Sequence, residues 1–463
     1  MKTRIISASL FFLCFVLALS ANAKELSPIL RSQMLFENYN TSHGLSQVSI
    51  NSIAEDEQGF IWVATQSGLN RFDGYQFRNY KSRKGSNSLP SNFLTDITVV
   101  KSTLWIGTQL TGVSTYNKNT GNFNHHGHDP NDPNTVSDNF INVIYQDSAH
   151  NIWVGGQNGL DLWHPASNSF IRFNERFSEL KERPVQAIEE GNANTLWLGT
   201  QQGLFMLDID SNTLTPITLP QLKTSKSKDI NVLSLHLDKA NALWVGTNAG
   251  LYKVSSYRDP ASQRKKVSVI TEFELFSKDF NQVQYLSIND LQSNAQNDLW
   301  LATETQGICE LRNNETAIRC QTANANNPMA LQSNSIQSIH FDKRGELWVG
   351  TAASGLAKYV QNSKNFSTIR QGLISQGGLS GKIIFAIEGS KNKIWIGSLT
   401  KGITEYDRKT GDARYYFSEE GNEQSLKENG IAGLFKEGDY LWIGYRNVTG
   451  ISRLNLITQE YQH

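Results

Sequence analysis

An all-β propeller of four-stranded antiparallel blades is the fold the sequence predicts, and three observations predict it. Nine short segments read apolar-Trp-apolar-Gly/Ala, each followed within a few residues by Gly-apolar; they centre on Trp62, Trp105, Trp153, Trp197, Trp244, Trp300, Trp348, Trp395 and Trp442. Successive tryptophans lie 43 to 56 residues apart, a period that fits a four-stranded blade and is too long for a leucine-rich repeat. Around them, period-two alternation, β-branched residues and Gly/Asn/Asp turns argue against the main competitor, a helical solenoid.

The first repeat shows how each element is read. Residues 48–53 alternate like a half-buried strand, a, and Glu55-Asp56-Glu57-Gln58-Gly59 is a polar turn with Gly at its end. Residues 60–65 form strand b, 68–72 strand c and 75–80 strand d, with Asp73-Gly74 as the hairpin signal between the last two. The polar turn recurs at 146–151, 237–241 and 341–345, so strand a feeds strand b through a tight connection. Strand b is apolar on both faces, as expected of a strand sandwiched between adjacent sheets, and its Trp is the natural wedge between blades. Gly or Ala two residues after each Trp permits close approach of a neighbour, and a later Gly (Gly68 in the first repeat, Gly450 in the ninth) supplies the backbone for the turn into strand c.

The 463 residues exceed one ordinary domain, which repeat arrays may do because each unit packs only on its neighbours. Met1-Lys2-Thr3-Arg4, an apolar stretch over 5–19 and Ala21-Asn22-Ala23 read as a secretory signal peptide, residues 1–23, cleaved after Ala23 and taking Cys14 with it. The expected location is the periplasm. Without that segment, 41 basic and 43 acidic side chains leave a charge near −2, which gives no support to nucleic-acid or anionic-membrane binding. No later run of eighteen apolar residues exists, so no membrane insertion is expected after cleavage. Cys309 and Cys320 flank the turn Asn313-Asn314-Glu315-Thr316; centring it on Asn314-Glu315 sets them opposite each other. In an oxidising compartment this favours a cross-strand disulfide. The alternative is two buried thiols in one blade.

The run from Asp56-Glu57-Gln58-Gly59-Phe60-Ile61-Trp62 to Gly68-Leu69-Asn70-Arg71-Phe72-Asp73-Gly74 resembles the two-component regulator propeller repeat. Upstream, Phe36-Glu37-Asn38-Tyr39 followed by Gly44-Leu45-Ser46 is similar to that family's N-terminal segment, where a lone strand completes a blade from elsewhere. The resemblance covers nearly all of residues 36–454 in nine matches in phase. It implies the ligand-sensing region of a periplasmic receptor. Such receptors have seven-bladed propellers, commonly two in tandem, and for several relatives the ligands are oligosaccharides released from polysaccharides. The signal passes through a β-sandwich and a membrane helix to a histidine kinase or diguanylate cyclase. This chain reaches His463 without sandwich, membrane helix, kinase or cyclase motif, so the expectation is a truncated, non-catalytic input region whose partner is a membrane-bound kinase or cyclase. Nine repeats fit one seven-bladed propeller over 24–360 and two blades of a second over 361–463, or else a single larger ring.

The candidate ligand-binding residues form a column four positions after each Trp: Gln66, Gln109, Gln157, Gln201, Asn248 and Glu304, followed by Ala352, Leu399 and Arg446. All fall in the b-to-c loop, which opens on the same propeller face as the d-to-a loops. Five consecutive amides supply paired donors and acceptors, the chemistry that sugar hydroxyls require; polar loop residues facing water are the plainer reading. Asn124-His125-His126-Gly127-His128-Asp129-Pro130 invites a metal, but it sits in a d-to-a connection and adjacent strand residues point to opposite faces, so no metal is expected. Trp163 reads as outer-edge packing rather than a sugar platform. Arg258-Asp259-Pro260 and Arg264-Lys265-Lys266 read as a solvated basic loop. No H-E-x-x-H, G-x-S-x-G, P-loop or dinucleotide motif is present, so neither enzyme activity nor a cofactor is expected. Alternatives are a stand-alone periplasmic binding or scaffold propeller, and a polysaccharide lyase or hydrolase, since propellers assemble carboxylate pairs from distant blades.

Overall fold

The computed structural model describes residues 34–463 apart from 86, 192–193, 221–229, 259–264, 271–285, 314, 316, 326, 361–377, 409–411 and 448–449, and apart from the side chains of 255–258 and 265–270. Residues 1–23, which the sequence reads as a signal peptide, therefore lie outside the described residues. Nine four-stranded antiparallel sheets make up the fold. The described residues divide near Asn362 into two compact units, one holding seven sheets and the other two.

In the seven-sheet unit the inner strands, a, neighbour one another in sequence order from Ile50–Glu55 to Ile336–Phe341, and the last neighbours the first. They close a circuit. The seventh sheet takes its fourth strand from the N-terminal segment: Phe36–Tyr39 pairs antiparallel with Leu356–Tyr359, Phe36 opposite Tyr359 and Tyr39 opposite Leu356. Phe36 is 1% exposed, and the Asn38 amide donates to the carbonyls of Pro328 and Ala330.

One packing rule repeats around the circuit. The Trp of each blade shares an apolar cluster with the fourth inner-strand residue of the next, as with Trp62 and Ile97, Trp197 and Leu235, and finally Trp348 and Ile53. The glycine after the Trp makes room for the next blade's first inner residue. A Cβ at Gly199 would stand 2.6 Å from Val232, at Gly246 2.8 Å from Ile288 and at Gly350 2.6 Å from Ile50. Every residue of strand b in blade 1, Ile61–Thr65, is buried, as a strand covered on both faces must be.

The a-to-b turn has a task the sequence reading did not assign. In four blades its Asp accepts the indole N–H of the Trp six residues on: Asp56 from Trp62 at 2.9 Å, Asp147 from Trp153 at 2.8 Å, Asp238 from Trp244 at 3.0 Å and Asp342 from Trp348 at 3.1 Å. The other Asp56 oxygen accepts the backbone N–H groups of Gln58 and Phe60. One carboxylate thus shapes the turn and satisfies a buried donor. Trp395 is instead accepted by Glu405, across from it on strand c. Trp300 has Asn294 in the turn, and its indole N–H is buried without a partner.

Four boundaries differ from the sequence reading. Strand a of blade 1 begins at Ile50 rather than at 48, because the Val48 carbonyl is taken by the Gly355 N–H of blade 7. Each inner strand also carries a register shift one residue in, which interrupts the alternation. Strand d of blade 1 begins at Phe77, since the Asp73 carboxylate holds the N–H groups of Tyr75 and Gln76 in the turn and leaves Tyr75 96% exposed. The basic insertion is not simply a loop: strands c and d of blade 5 extend into it, pairing Arg258 with Lys265 and Tyr257 with Lys266, while 259–264 lie outside the described residues. The ninth sheet has a fourth strand, Tyr461–Gln462. In blade 6, Cys309 and Cys320 face each other and are joined by a disulfide.

Candidate functional site

The b-to-c loop is built by the threonine that ends strand b. The Thr65 hydroxyl donates to the Gly68 carbonyl at 2.8 Å and accepts the Ser67 N–H at 3.0 Å; Thr108, Thr200, Thr247, Thr303 and Thr351 make equivalent bonds. The loop returns through a glycine with φ between +65° and +148° in all nine repeats, the left-handed backbone that glycine adopts most readily.

This loop places the candidate column beside the start of the inner strand. The backbone N–H groups of Gln109, Gln157, Gln201, Asn248 and Glu304 donate to the carbonyls of Phe93, Phe140, Pro184, Asn231 and Ser287, each the residue immediately before its blade's strand a. The side chains differ. Gln66 and Gln201 are exposed and Gln109 is half-buried, and none of the three makes a side-chain hydrogen bond among the described residues. The Asn248 carbonyl oxygen is taken by the Asn231 N–H at 3.0 Å, and the Gln157 amide approaches Asn142 at 3.5 Å. Glu304 accepts from Asn289 at 2.9 Å and Ser335 at 3.1 Å. The amides facing water without a partner are therefore Gln66, Gln109 and Gln201.

A second polar ring lies against the column, and sequence reasoning missed it. It consists of the residue at the inner-strand register shift in six of the seven blades, Asn51, Thr95, Asn142, Gln186, Asn289 and Gln337, and is interrupted by Leu233 in blade 5. Asn51, Asn142 and Asn289 donate to the carbonyls of Leu94, Val185 and Ile336, the first inner residue of the following blade, at 2.6, 3.0 and 2.8 Å. Thr95 Oγ1 and Gln186 Oε1 are shut off from water and have no partner. The available signal was a polar residue 14 or 15 positions before Gln66, Gln109, Gln157, Gln201, Glu304 and Ala352; before Asn248 that place is held by Leu233.

The inner wall beyond this ring is acidic. The seven inner strands carry Glu55, Asp96, Glu189, Glu190 and Asp290 and no Lys or Arg. Three of these acids accept a backbone N–H from the next blade: Asp96 from Ile144 at 2.7 Å, Glu189 from Leu237 at 3.0 Å and Asp290 from Ile339 at 2.9 Å. An innermost strand has no sheet partner on its inner edge, and these carboxyls satisfy some of its donors. Burial raises all three; Glu189 is pushed up to about 7, and Asp290 likewise, with Asp96 adding repulsion.

A fourth raised acid tests this logic away from the rim. Asp161 is fully buried and accepts both the N–H and the hydroxyl of Ser137 at 2.9 Å, leaving its second oxygen without a partner. Burial pushes it up to about 7. Its folded state thus holds a proton that the unfolded chain releases near pH 4, so its stabilising contribution is full below that pH and is lost as pH rises through about 7. Asn70, at the same position of blade 1, accepts the Ser46 N–H through its amide oxygen. Asp161→Asn is accordingly expected to keep the Ser137 bonds and to flatten the fall in Tm between about pH 4 and 7; an unchanged slope would show that Asp161 does not titrate there.

The histidine segment begins in a strand, not wholly in the connection. Asn122–His126 is strand d of blade 2, with His125 3.1 Å from the Ser114 hydroxyl and His126 packed on Trp163 at 4.9 Å between ring centroids. The two imidazoles make separate contacts, and among the described residues no cluster of three metal-ligating side chains occurs. Trp163 packs against Trp105 and Phe170. Among the described residues no helix is long and apolar enough to cross a membrane.

Known proteins agree with this architecture. Residues 44–67, 135–158 and 330–353 match the family described as two component regulator propeller. The chain is similar to the extracellular domain of the putative hybrid two component system BT3049 from B. thetaiotaomicron, with a TM-score of 0.71, 23% identity, and coverage of 93% of this chain and 54% of that one. It thus spans about half of that solved domain. It is 41% identical to Histidine kinase P4 of Formosa agariphila over 51 residues, 11% of this chain and 4% of the kinase. Streptogramin B lyase shares the fold at a TM-score of 0.50 and 13% identity, over 70% of this chain and 97% of the lyase, so the fold also carries an enzyme.

Proposed function

We propose that this chain, a carrier of two-component regulator propeller repeats, is the ligand-sensing propeller region of a periplasmic signalling receptor, without catalysis of its own. Residues 24–360 form its first propeller and 361–463 begin a second. The observation that carries the reading is the paired polar rings at one face: Gln66, Gln109 and Gln201 offer unspent amides, set by Thr-held loops beside a second ring of polar inner-strand residues. Fixed, uncharged donors and acceptors of this kind suit the hydroxyls of a neutral oligosaccharide. The signal arises from the ligand's different affinities for two arrangements of an attached membrane-bound kinase or cyclase.

A thermal-shift screen of residues 24–463 against neutral oligosaccharides tests this, because a ligand that binds only the folded state raises Tm. For a sugar that does so, alanine at Gln66, Gln109 and Gln201 together should weaken binding about tenfold or more while leaving the unliganded Tm in place. Unchanged affinity would remove the rim from the site.

A further inference from the structure

Blade 1 holds a cation whose hydrogen-bonding capacity the protein does not use. Strand c sets one residue opposite each wedge Trp, and in four sheets it is basic: Arg71 opposite Trp62, Lys253 opposite Trp244, Lys358 opposite Trp348 and, in the ninth sheet, Arg453 opposite Trp442, where it donates to Gln462. Lys253 lies over the Trp244 ring and 3.8 Å from the turn acid Asp238, and Lys358 is 2.8 Å from Glu346. In blade 1 the turn acid is engaged from elsewhere. Asp56 accepts the Trp62 indole and two backbone N–H groups, and Lys118 of blade 2 reaches it at 3.7 Å while also pairing with Glu57.

Among the described residues Arg71 makes no hydrogen bond or ion pair; its guanidinium lies 4.3 Å from the Phe60 ring centroid, and its charge reaches Asp73 and Tyr80 only through space. Its Nε is shut off from water and has no hydrogen-bond partner, an uncommon state for a charged donor group. Beside it lies a cavity of about 190 Å³ between blades 1 and 2, whose lining includes the acids Asp56 and Glu57 as well as Gln58, Arg71, Ser102, Tyr116 and Lys118. The a-to-b turn that forms part of this lining stands at the opposite end of the inner strand from the amide rim.

We infer that this cavity is a binding site for the carboxylate of a small ligand, held by the guanidinium fork of Arg71. With Nε shut off from water, the two Nη groups present the parallel N–H pair at the spacing of two carboxylate oxygens, a match that a point-like ammonium lacks. Ser102, Tyr116 and Gln58 supply neutral polar groups for the remainder of the ligand. The volume is below the roughly 300–1,000 Å³ of sites for drug-sized molecules, which limits the occupant to a single sugar-acid ring or a short organic acid. Arg71 and Lys118 balance Asp56 and Glu57, so recognition rests on the unspent fork and not on a net positive field.

The test is a titration of the full chain with D-glucuronate, D-glucose and acetate, followed by calorimetry and by Tm. Glucuronate should bind, glucose should not, and Arg71→Met, which keeps an unbranched stem on Phe60, should weaken glucuronate about tenfold or more. Arg71→Lys should recover little of it, because charge without the fork is insufficient. Acetate binding as tightly as glucuronate, with the same dependence on Arg71, would identify a free carboxylate as the ligand, whereas glucuronate alone would identify a sugar acid. The proposal is overturned if neither acid binds, or if Arg71→Met binds glucuronate as the parent does. Both Arg71 variants must melt cooperatively near the parent Tm; if either does not, Ser102→Ala and Tyr116→Phe replace them, and undiminished glucuronate binding in both overturns the site. Because the alanine triple at Gln66, Gln109 and Gln201 lies at the other end of the blades, it should retain glucuronate binding whether or not the rim reading holds.

Discussion

Trp197→Ala is expected to destabilise the seven-sheet unit by about 3–5 kcal/mol, the usual range for truncating a buried large aromatic side chain. Trp197 is 4% exposed and sits in a cluster with Val232, Leu235 and Tyr252 of the following blade as well as Leu204 of its own. The loss is therefore at a junction between blades, and the closed circuit gives the remaining blades no means of collapsing onto the cavity without disturbing others. Denaturant unfolding followed by tryptophan fluorescence and by circular dichroism measures it. A loss below about 1 kcal/mol would show that the indole is not the wedge. Trp442→Ala supplies the comparison: this indole is only half-buried in the last sheet and its N–H reaches Glu437 at 3.1 Å, so its removal should cost distinctly less.

Gly355→Ala should be the next most damaging substitution, and Gly203→Ala its control. Both glycines open strand c with left-handed backbone, φ +91° and +108°. That conformation alone costs an L-residue about 1–2 kcal/mol, which is the whole effect expected at Gly203, where an added Cβ meets nothing within 4 Å. At Gly355 the same Cβ would stand 2.1 Å from the Tyr39 carbonyl oxygen. Relief requires moving the strand Phe36–Tyr39 that completes the seventh sheet, so the total should reach about 2–5 kcal/mol once overpacking is added. Hydrogen exchange should locate the damage: Gly355→Ala should expose the amides of Phe36–Tyr39 at a rate Gly203→Ala does not. Equal losses in the two variants would mean that the backbone conformation, and not the closing strand, sets the cost.

Much of the fold was legible because a repeat states its rules many times. The all-β class and the four-stranded antiparallel sheets follow from a Trp recurring at a blade-length period and from Gly at fixed distances after it. What the sequence reading missed were pairings that local pattern does not mark as structural. The Asp six residues before Trp62, Trp153, Trp244 and Trp348 looked like an ordinary turn residue, and only the fold shows its carboxylate reaching back to the indole. The second polar ring was hidden because the register shift at Asn51 and its equivalents breaks the alternation by which inner-strand residues were sorted.

For the candidate site the division is sharper. Sequence spacing placed Gln66, Gln109, Gln157, Gln201, Asn248 and Glu304 in one kind of loop, but residue type cannot say whether an amide is already spent. Asn248 and Glu304 are hydrogen-bonded by their neighbours, whereas Gln66, Gln109 and Gln201 are not. Arg71 likewise read as one strand residue among many, and only the fold shows Lys118, 47 positions away, beside the turn acid whose equivalent in blade 5 pairs with Lys253.

The sequence by itself determined the repeat, its blade length, its wedge and its turns, because these depend on contacts within about fifty residues of chain and on the intrinsic preferences of Trp, Gly and Asp. Only the tertiary structure decided which blade the strand Phe36–Tyr39 completes, which inner-wall acids bind the neighbouring blade, and which polar groups remain without partners. Each of these is a matter of hydrogen bonds satisfied across a blade boundary. A donor's partner there is set by the position of another sheet, which no local pattern records.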